Sequence, residues 1–211
     1  MKSEFGDPDK KPPANPLDNL ILTILSQSTS DRNRDTAFTD LKERFPDWES
    51  AAEAETDEIA AAIRPGGLAN QKSARIKDIL RWVKQKRGDY KLDWLKDMTP
   101  DEVIAELTQL KGIGVKTAAV LLCFSFEVDI FPVDVHVHRI CRRLELVLHN
   151  ASAEKTHYQM QTLIPPGRSK PFHLNLLKLG RTYCRPANPK CGECPINIIC
   201  PYPVKSKASH D

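Results

Sequence analysis

Apolar residues recur at helical spacing through nearly the whole chain, and no stretch shows the two-residue alternation of a half-buried strand. Leu17, Leu20, Ile21, Ile24 and Leu25 fall on one helical face. Ala37, Phe38, Leu41 and Phe45 mark a second helix, opened by Ser30 or Asp31 as cap. Ile59, Ala62 and Ile63 mark a short third, stopped by Pro65-Gly66-Gly67. Ile76, Ile79, Leu80 and Val83 mark a fourth. Thr99-Pro100-Asp101-Glu102 has the cap hydroxyl, the first-turn proline and the reciprocal glutamate of a capping box. It opens a fifth helix through Val103, Ile104, Leu107 and Leu110. Further helices are expected over 115–126, 135–148, 152–164 and 172–183, with no internal repeat. The fold class is all-α.

Residues 1–16 are polar and proline-rich and read as a flexible N-terminal arm. The 211 residues suffice for one medium domain or two small ones. No apolar run reaches the roughly 18–20 residues a bilayer span needs, and Met1-Lys-Ser-Glu-Phe-Gly-Asp-Pro lacks the apolar core of a secretion signal. A soluble intracellular protein is the expectation. The net charge of +3 is mild, but its distribution is uneven. Between His136 and Arg185, nine Lys and Arg side chains face only Glu145 and Glu154, whereas residues 49–58 are acidic. Such asymmetry fits a polyanion partner on one side; solvated helix faces would give the same pattern.

Between two helical patterns lies Leu110-Lys111-Gly112-Ile113-Gly114-Val115-Lys116-Thr117. Its glycines permit a tight turn and leave main-chain amides uncovered. The next helix begins at that turn, so its N-terminal N–H groups and dipole form a phosphate-binding corner that reads no bases. A plain helix–helix turn is the simpler alternative. Lys116 falls in the first turn of this helix, where the dipole and neighbouring cations disfavour an ammonium. Its pKa should drop, and a partly neutral amine is a nucleophile toward an aldehyde-like carbon. A first-turn lysine can also be a surface residue or one more phosphate contact. Asp134, in Phe131-Pro132-Val133-Asp134-Val135-His136, suits a helix N-cap, and a cap carboxylate can also stabilise a developing cation.

Two of six cysteines, Cys123 and Cys141, lie in apolar helical patterns and read as buried hydrophobes. The other four, Cys184, Cys191, Cys194 and Cys200, form C-x6-C-x2-C-x5-C. Without an export signal, disulfides are disfavoured. Four thiolates in one segment suit a tetrahedral metal or a 4Fe–4S cluster. Zinc sites also use C-x2-C, typically as two such pairs across a longer gap; this spacing has one pair with unequal flanks. Pro186, Pro189, Pro195 and Pro201 keep the loop irregular, so it depends on its ligand for order.

Gly112-Ile113-Gly114-Val115-Lys116-Thr117-Ala118, then Val133-Asp134-Val135-His136, then the four-cysteine spacing occur in one order. In this combination the sequence resembles the endonuclease III family of helix-hairpin-helix DNA glycosylases, over about residues 16–202. The resemblance implies a six-helix bundle at 17–128, with the helix-hairpin-helix at about 101–126, and a smaller helical iron–sulfur domain at 129–211. Damaged double-stranded DNA would bind in a cleft between them. It implies that Lys116 attacks the sugar C1′ of an oxidised pyrimidine nucleotide, that Asp134 assists, and that the resulting Schiff base undergoes β-elimination 3′ to the abasic site. Gln27 and Leu68 would fill the gap left by the extruded base. Lys111, Gly112, Ile113, Gly114, His136, Arg139, Arg185 and Lys190 are the further candidate DNA contacts. One 4Fe–4S cluster per chain is implied on the four cysteines. The expected state is a monomer, cytoplasmic and nucleoid-associated if the source is prokaryotic.

Three departures bear on this resemblance: the short N-terminal arm, Ser30 where well-known members carry an acidic residue, and the proline-rich segment 163–171. Two other functions would keep many of these features. One is a uracil or mismatch glycosylase on the same scaffold. The other is a non-catalytic DNA-binding or redox-sensing iron–sulfur protein, in which Lys116 only contacts phosphate.

Overall fold

The computed structural model describes residues 2–6 and 15–202, and among them every regular element is helical. The helices are α1 (Lys2–Phe5), α2 (Pro16–Leu25), α3 (Asp31–Arg44), α4 (Trp48–Glu53), α5 (Thr56–Ala62), α6 (Ala69–Arg87), α7 (Pro100–Thr108), α8 (Val115–Ser125), α9 (Val135–Arg143), α10 (Ala153–Leu163) and α11 (Ser169–Thr182). The chain divides into two compact units, Pro13–Phe126 and a second made of Met1–Pro12 with Glu127–Asp211. The division thus falls two residues before the expected boundary at 128.

The first unit is built around α2. Asn15 Oδ1 accepts hydrogen bonds from Leu17 and Asp18 N at 3.1 Å, and Pro16 pre-sets the first turn. Leu17, Leu20, Ile21, Ile24 and Leu25 are all buried, each stabilising the fold by about 1.5–3 kcal/mol. They pack against α3, α6 and α8. Asn19 Nδ2 donates to Ser125 Oγ at 2.7 Å, tying α2 to the end of α8 inside the core. Of the two expected caps of α3, Ser30 is the one used, its hydroxyl accepting from Asn33 N. The capping box at Thr99 and Glu102 forms as expected.

Helix α4 was not expected. Only Trp48 and Ala51 of its six residues are buried, which is too few to set a period. Asp47 caps it, and the Trp48 indole donates to Asp18 Oδ1 at 2.9 Å.

In the second unit, Phe131, Val133, Val137, Ile140, Met160, Leu176 and Leu179 form the core. Helices α9 and α11 approach closely at Gly180, where a Cβ would lie 2.9 Å from His136 Cβ. The helix expected over 135–148 ends at Arg143. Glu145 takes φ +58° and reverses the chain, while Leu144 and Val147 still pack on the core, so the apolar pattern outlasts the helix.

The arm expected over 1–16 also differs. Lys2–Phe5 is helical; Glu4 Oε1 accepts from Tyr183 O–H at 2.9 Å, and the Phe5 and Tyr183 rings lie 6.5 Å apart. Pro16 belongs to α2. The stretch 7–14 lies outside the described residues.

Candidate active site and cysteine centre

In the first unit, α7 and α8 enclose the glycine hairpin. Ile113 N donates to Leu110 O at 3.0 Å to close the turn, and Gly112 takes φ +88°. Ile113 is buried, so only its main chain is presented, whereas Lys111 and Gly114 are exposed. Gly114 enters α8 with no side-chain cap, an arrangement suited to an anion at the first turn. Lys116 lies in that turn, half-buried.

Two loops of the same unit carry the candidate gap-filling side chains. Gln27 Nε2 donates to Gly112 O at 3.0 Å, and Arg75 Nη1 donates to Gln27 Oε1 at 2.7 Å. Gln27 is therefore fastened to the hairpin. Ser28 beside it has φ +54°. Leu68 is 55% exposed and also left-handed, with φ +51° and ψ +37°, at the N-cap of α6. A large apolar side chain held outward on strained backbone is a costly arrangement that surrounding contacts must maintain.

Those contacts include a residue that the sequence reading missed. Lys72, in the first turn of α6, is fully buried and donates to Leu25 O at 2.7 Å and Gly66 O at 2.8 Å. Burial depresses its pKa, and the Arg75 charge adds to this. A signal was present: extending the stripe of Ile76, Ile79, Leu80 and Val83 back by one turn lands on Lys72.

In the second unit, Asp134 caps α9, its Oδ1 accepting from Val137 N at 2.8 Å. The preceding loop is pinned from α10 and α11. Gln161 Oε1 accepts from Phe131 N, His157 Nδ1 donates to Phe131 O at 2.7 Å, and His173 Nδ1 donates to Pro132 O at 2.9 Å. The half-buried Asp134 is thus fixed by a rigid support.

His136 and Arg139, two of the candidate DNA contacts, also make bonds inside this unit. Arg139 donates to Cys184 O through Nε at 3.0 Å and through Nη2 at 2.7 Å, and its Nη2 lies 2.9 Å from His136 Nδ1. Burial lowers its pKa, and the guanidinium bonds to main-chain carbonyls inside the unit. Arg185 and Lys190 are exposed, Lys190 pairing with Glu193 at 3.2 Å.

The four loop cysteines are not disulfide-bonded and line one open pocket, together with Ile140, Leu144, Leu179, Ile196 and Tyr202. Among the described residues, no three His, Cys, Asp or Glu side chains are gathered to hold a single metal ion. A zinc ion would draw the sulfurs in to about 2.3 Å from itself. Four cysteine thiols around one pocket are a donor set that a thiolate-ligated metal centre would use. Burial pushes the Cys194 and Cys200 thiols up, so a group binding there must displace protons.

Arg143 is the further residue that sequence reading missed. Its Nη1 donates to Cys184 Sγ at 3.2 Å and to Arg185 O at 2.8 Å, and its guanidinium lies 4.2 Å from the centroid of the Tyr202 ring. Were Cys184 to ligate a metal centre, this hydrogen bond to its sulfur would be outer support of the kind such centres use.

Comparison with known proteins shows the family and the fold. Residues 21–166 match the family described as HhH-GPD superfamily base excision DNA repair protein. An Arabidopsis thaliana protein assigned as a DNA glycosylase is 39% identical over 161 residues, covering 76% of this chain. The chain spans about half of that relative's length, 54%. Endonuclease III of Thermotoga maritima is 33% identical over 187 residues, covering 89% of this chain and 83% of its own. The fold superposes on an endonuclease III–DNA complex with a TM-score of 0.83 at 24% identity, covering 99% of this chain and 94% of the other. The chain belongs to the endonuclease III family, within the HhH-GPD superfamily of base excision DNA repair proteins.

Proposed function

We propose that this chain is a bifunctional DNA glycosylase and abasic-site lyase that removes oxidised pyrimidines from double-stranded DNA. The observation that carries this reading is Lys116 in the first turn of α8, behind a hairpin that opens that helix without a side-chain cap. DNA phosphates bind at the hairpin, where main-chain N–H groups and the helix dipole favour anions. The extruded nucleotide then offers C1′ to Lys116. The Lys116 amine forms a bond to C1′ as the N-glycosidic bond breaks, and the departing base takes up a proton. The Asp134 carboxylate stabilises the positive charge that develops at the sugar. The sugar ring then opens: the C1′–O4′ bond breaks, O4′ takes a proton from solvent, and a protonated Schiff base between Lys116 and C1′ remains. Loss of a C2′ proton and departure of the 3′ phosphate cut the strand, and water then releases Lys116.

Cys184, Cys191, Cys194 and Cys200 hold one 4Fe–4S cluster in this reading. The cluster supplies structural closure of the loop, and Arg185 and Lys190 on that loop contact the DNA backbone. The protein acts as a monomer and, in a prokaryotic cell, within the nucleoid.

A panel of duplexes tests the substrate assignment. Each carries one lesion: an oxidised pyrimidine, uracil, a thymine or adenine mismatch, or an abasic site. Cleavage is expected at oxidised pyrimidines and abasic sites, abolished in Lys116→Ala and reduced about 100-fold or more in Asp134→Asn. Activity confined to mismatches would replace the oxidised-pyrimidine assignment. Binding without cleavage in every arm would make the chain a non-catalytic DNA-binding protein.

A further inference from the structure

Lys72 is a long amine enclosed completely, and its two hydrogen-bond partners are main-chain carbonyls. Burying an ammonium without a counter-charge is costly, and an apolar side chain would pack there more cheaply. The two carbonyls it holds are not arbitrary. Leu25 O closes α2 two residues before Gln27. Gly66 O closes the 3-10 turn Arg64–Gly66, two residues before Leu68.

The main chain adds a third tie, since Lys72 N donates to Leu68 O at 2.9 Å. Leu68 needs such restraint. Its left-handed backbone is disfavoured for a non-glycine residue, and its side chain is 55% exposed, so its own contacts contribute little toward holding it. One turn further along α6, Arg75 reaches Gln27, which in turn bonds Gly112 of the hairpin.

We propose that Lys72 is a positioning residue that sets the Gln27 loop and the Leu68 turn in one mutual register, so that both side chains enter the duplex together when a nucleotide is extruded. This rests on the glycosylase reading above, in which those two side chains fill the vacated gap. The amine suits the task because one tetrahedral group can satisfy two carbonyls from separate segments at once. A methionine of similar length would fill the space and leave both carbonyls unbonded.

The role separates from chemistry and from simple stability. Lys72→Met should cut excision of an oxidised pyrimidine from duplex DNA by about 100-fold, the scale of an approximately 1 Å misplacement. The loss should fall mainly in kcat, because duplex binding through the hairpin persists. Borohydride trapping on a single-stranded abasic oligonucleotide, which needs no gap filling, should stay within about threefold of the parent protein. A 2-aminopurine base next to the lesion should lose its unstacking fluorescence in Lys72→Met. Leu68→Ala should be defective in the same way, and the double variant no worse than either single, since both remove one event.

Equal loss in the duplex and single-stranded assays would overturn the proposal in favour of a merely structural role. So would normal duplex excision by folded Lys72→Met, or additive defects in the double variant. Should Lys72→Met not fold, Lys72→Leu, which also lacks an N–H donor, decides the same comparison by the same criteria. If the parent protein itself forms no trapped adduct and excises nothing, the glycosylase reading has failed, an outcome distinct from failure of the Lys72 role.

Discussion

At Gly112 two constraints coincide. Its φ of +88° disfavours any side chain, and a Cβ there would lie 2.5–2.8 Å from the Arg75 side chain. Gly112→Ala is therefore expected to destabilise the protein by about 1–3 kcal/mol, read as a lower midpoint in denaturant unfolding. An unchanged midpoint would mean that the hairpin relaxes without cost. Gly112 was legible because glycines at a helix–hairpin–helix junction have a local reason to be there. The placement of Lys116 in the first turn of α8, of Asp134 at the cap of α9 and of the four cysteines around one pocket was legible for the same kind of reason, each tied to its neighbours by spacing. Lys72 and Arg143 were not. The α6 stripe signalled that Lys72 is buried, but Leu25 O and, for Arg143, Cys184 Sγ come from segments far away in sequence, and spacing does not encode those meetings. Arg139, a candidate DNA contact from its place in a basic run, also bonds Cys184 O, another partner distant in sequence.

Among the elements, the helices with strong periods and explicit caps were readable, such as α2 with Asn15-Pro16 and α7 with its capping box. Short α4 and the true end of α9 were not. The first lacks a period, and the second stops where Glu145 turns left-handed although apolar residues continue. Under the proposed cluster assignment, the loop from Cys184 to Cys200 is the element most dependent on chemistry outside the chain. It contains only the short turns Cys191–Glu193 and Asn197–Ile199, with no buried side chains in either. Purified protein is expected to be coloured, with iron and acid-labile sulfide in equal amounts. Cys194→Ser should lose both while retaining nearly all of its far-UV helical signal, because the helices lie outside this loop. A colourless parent protein with stoichiometric zinc and no sulfide would contradict the iron–sulfur assignment.

At the scale of the whole molecule, the groups proposed for chemistry are divided between the units, Lys116 in one and Asp134 in the other. Each is fixed by its own unit's core: Lys116 by the hairpin that α2 and α6 buttress, Asp134 by a loop that α10 and α11 pin. The all-α class and the family were readable from the order of the motifs. The internal bonding that holds each motif in place was not. The measurement that bears most directly on the proposed chemistry is borohydride reduction of the protein mixed with an abasic-site duplex, followed by mass spectrometry of the adduct. The prediction is one covalent crosslink per chain, located at Lys116 and absent from Lys116→Ala. No adduct with the intact protein, or an undiminished adduct with Lys116→Ala, would contradict it.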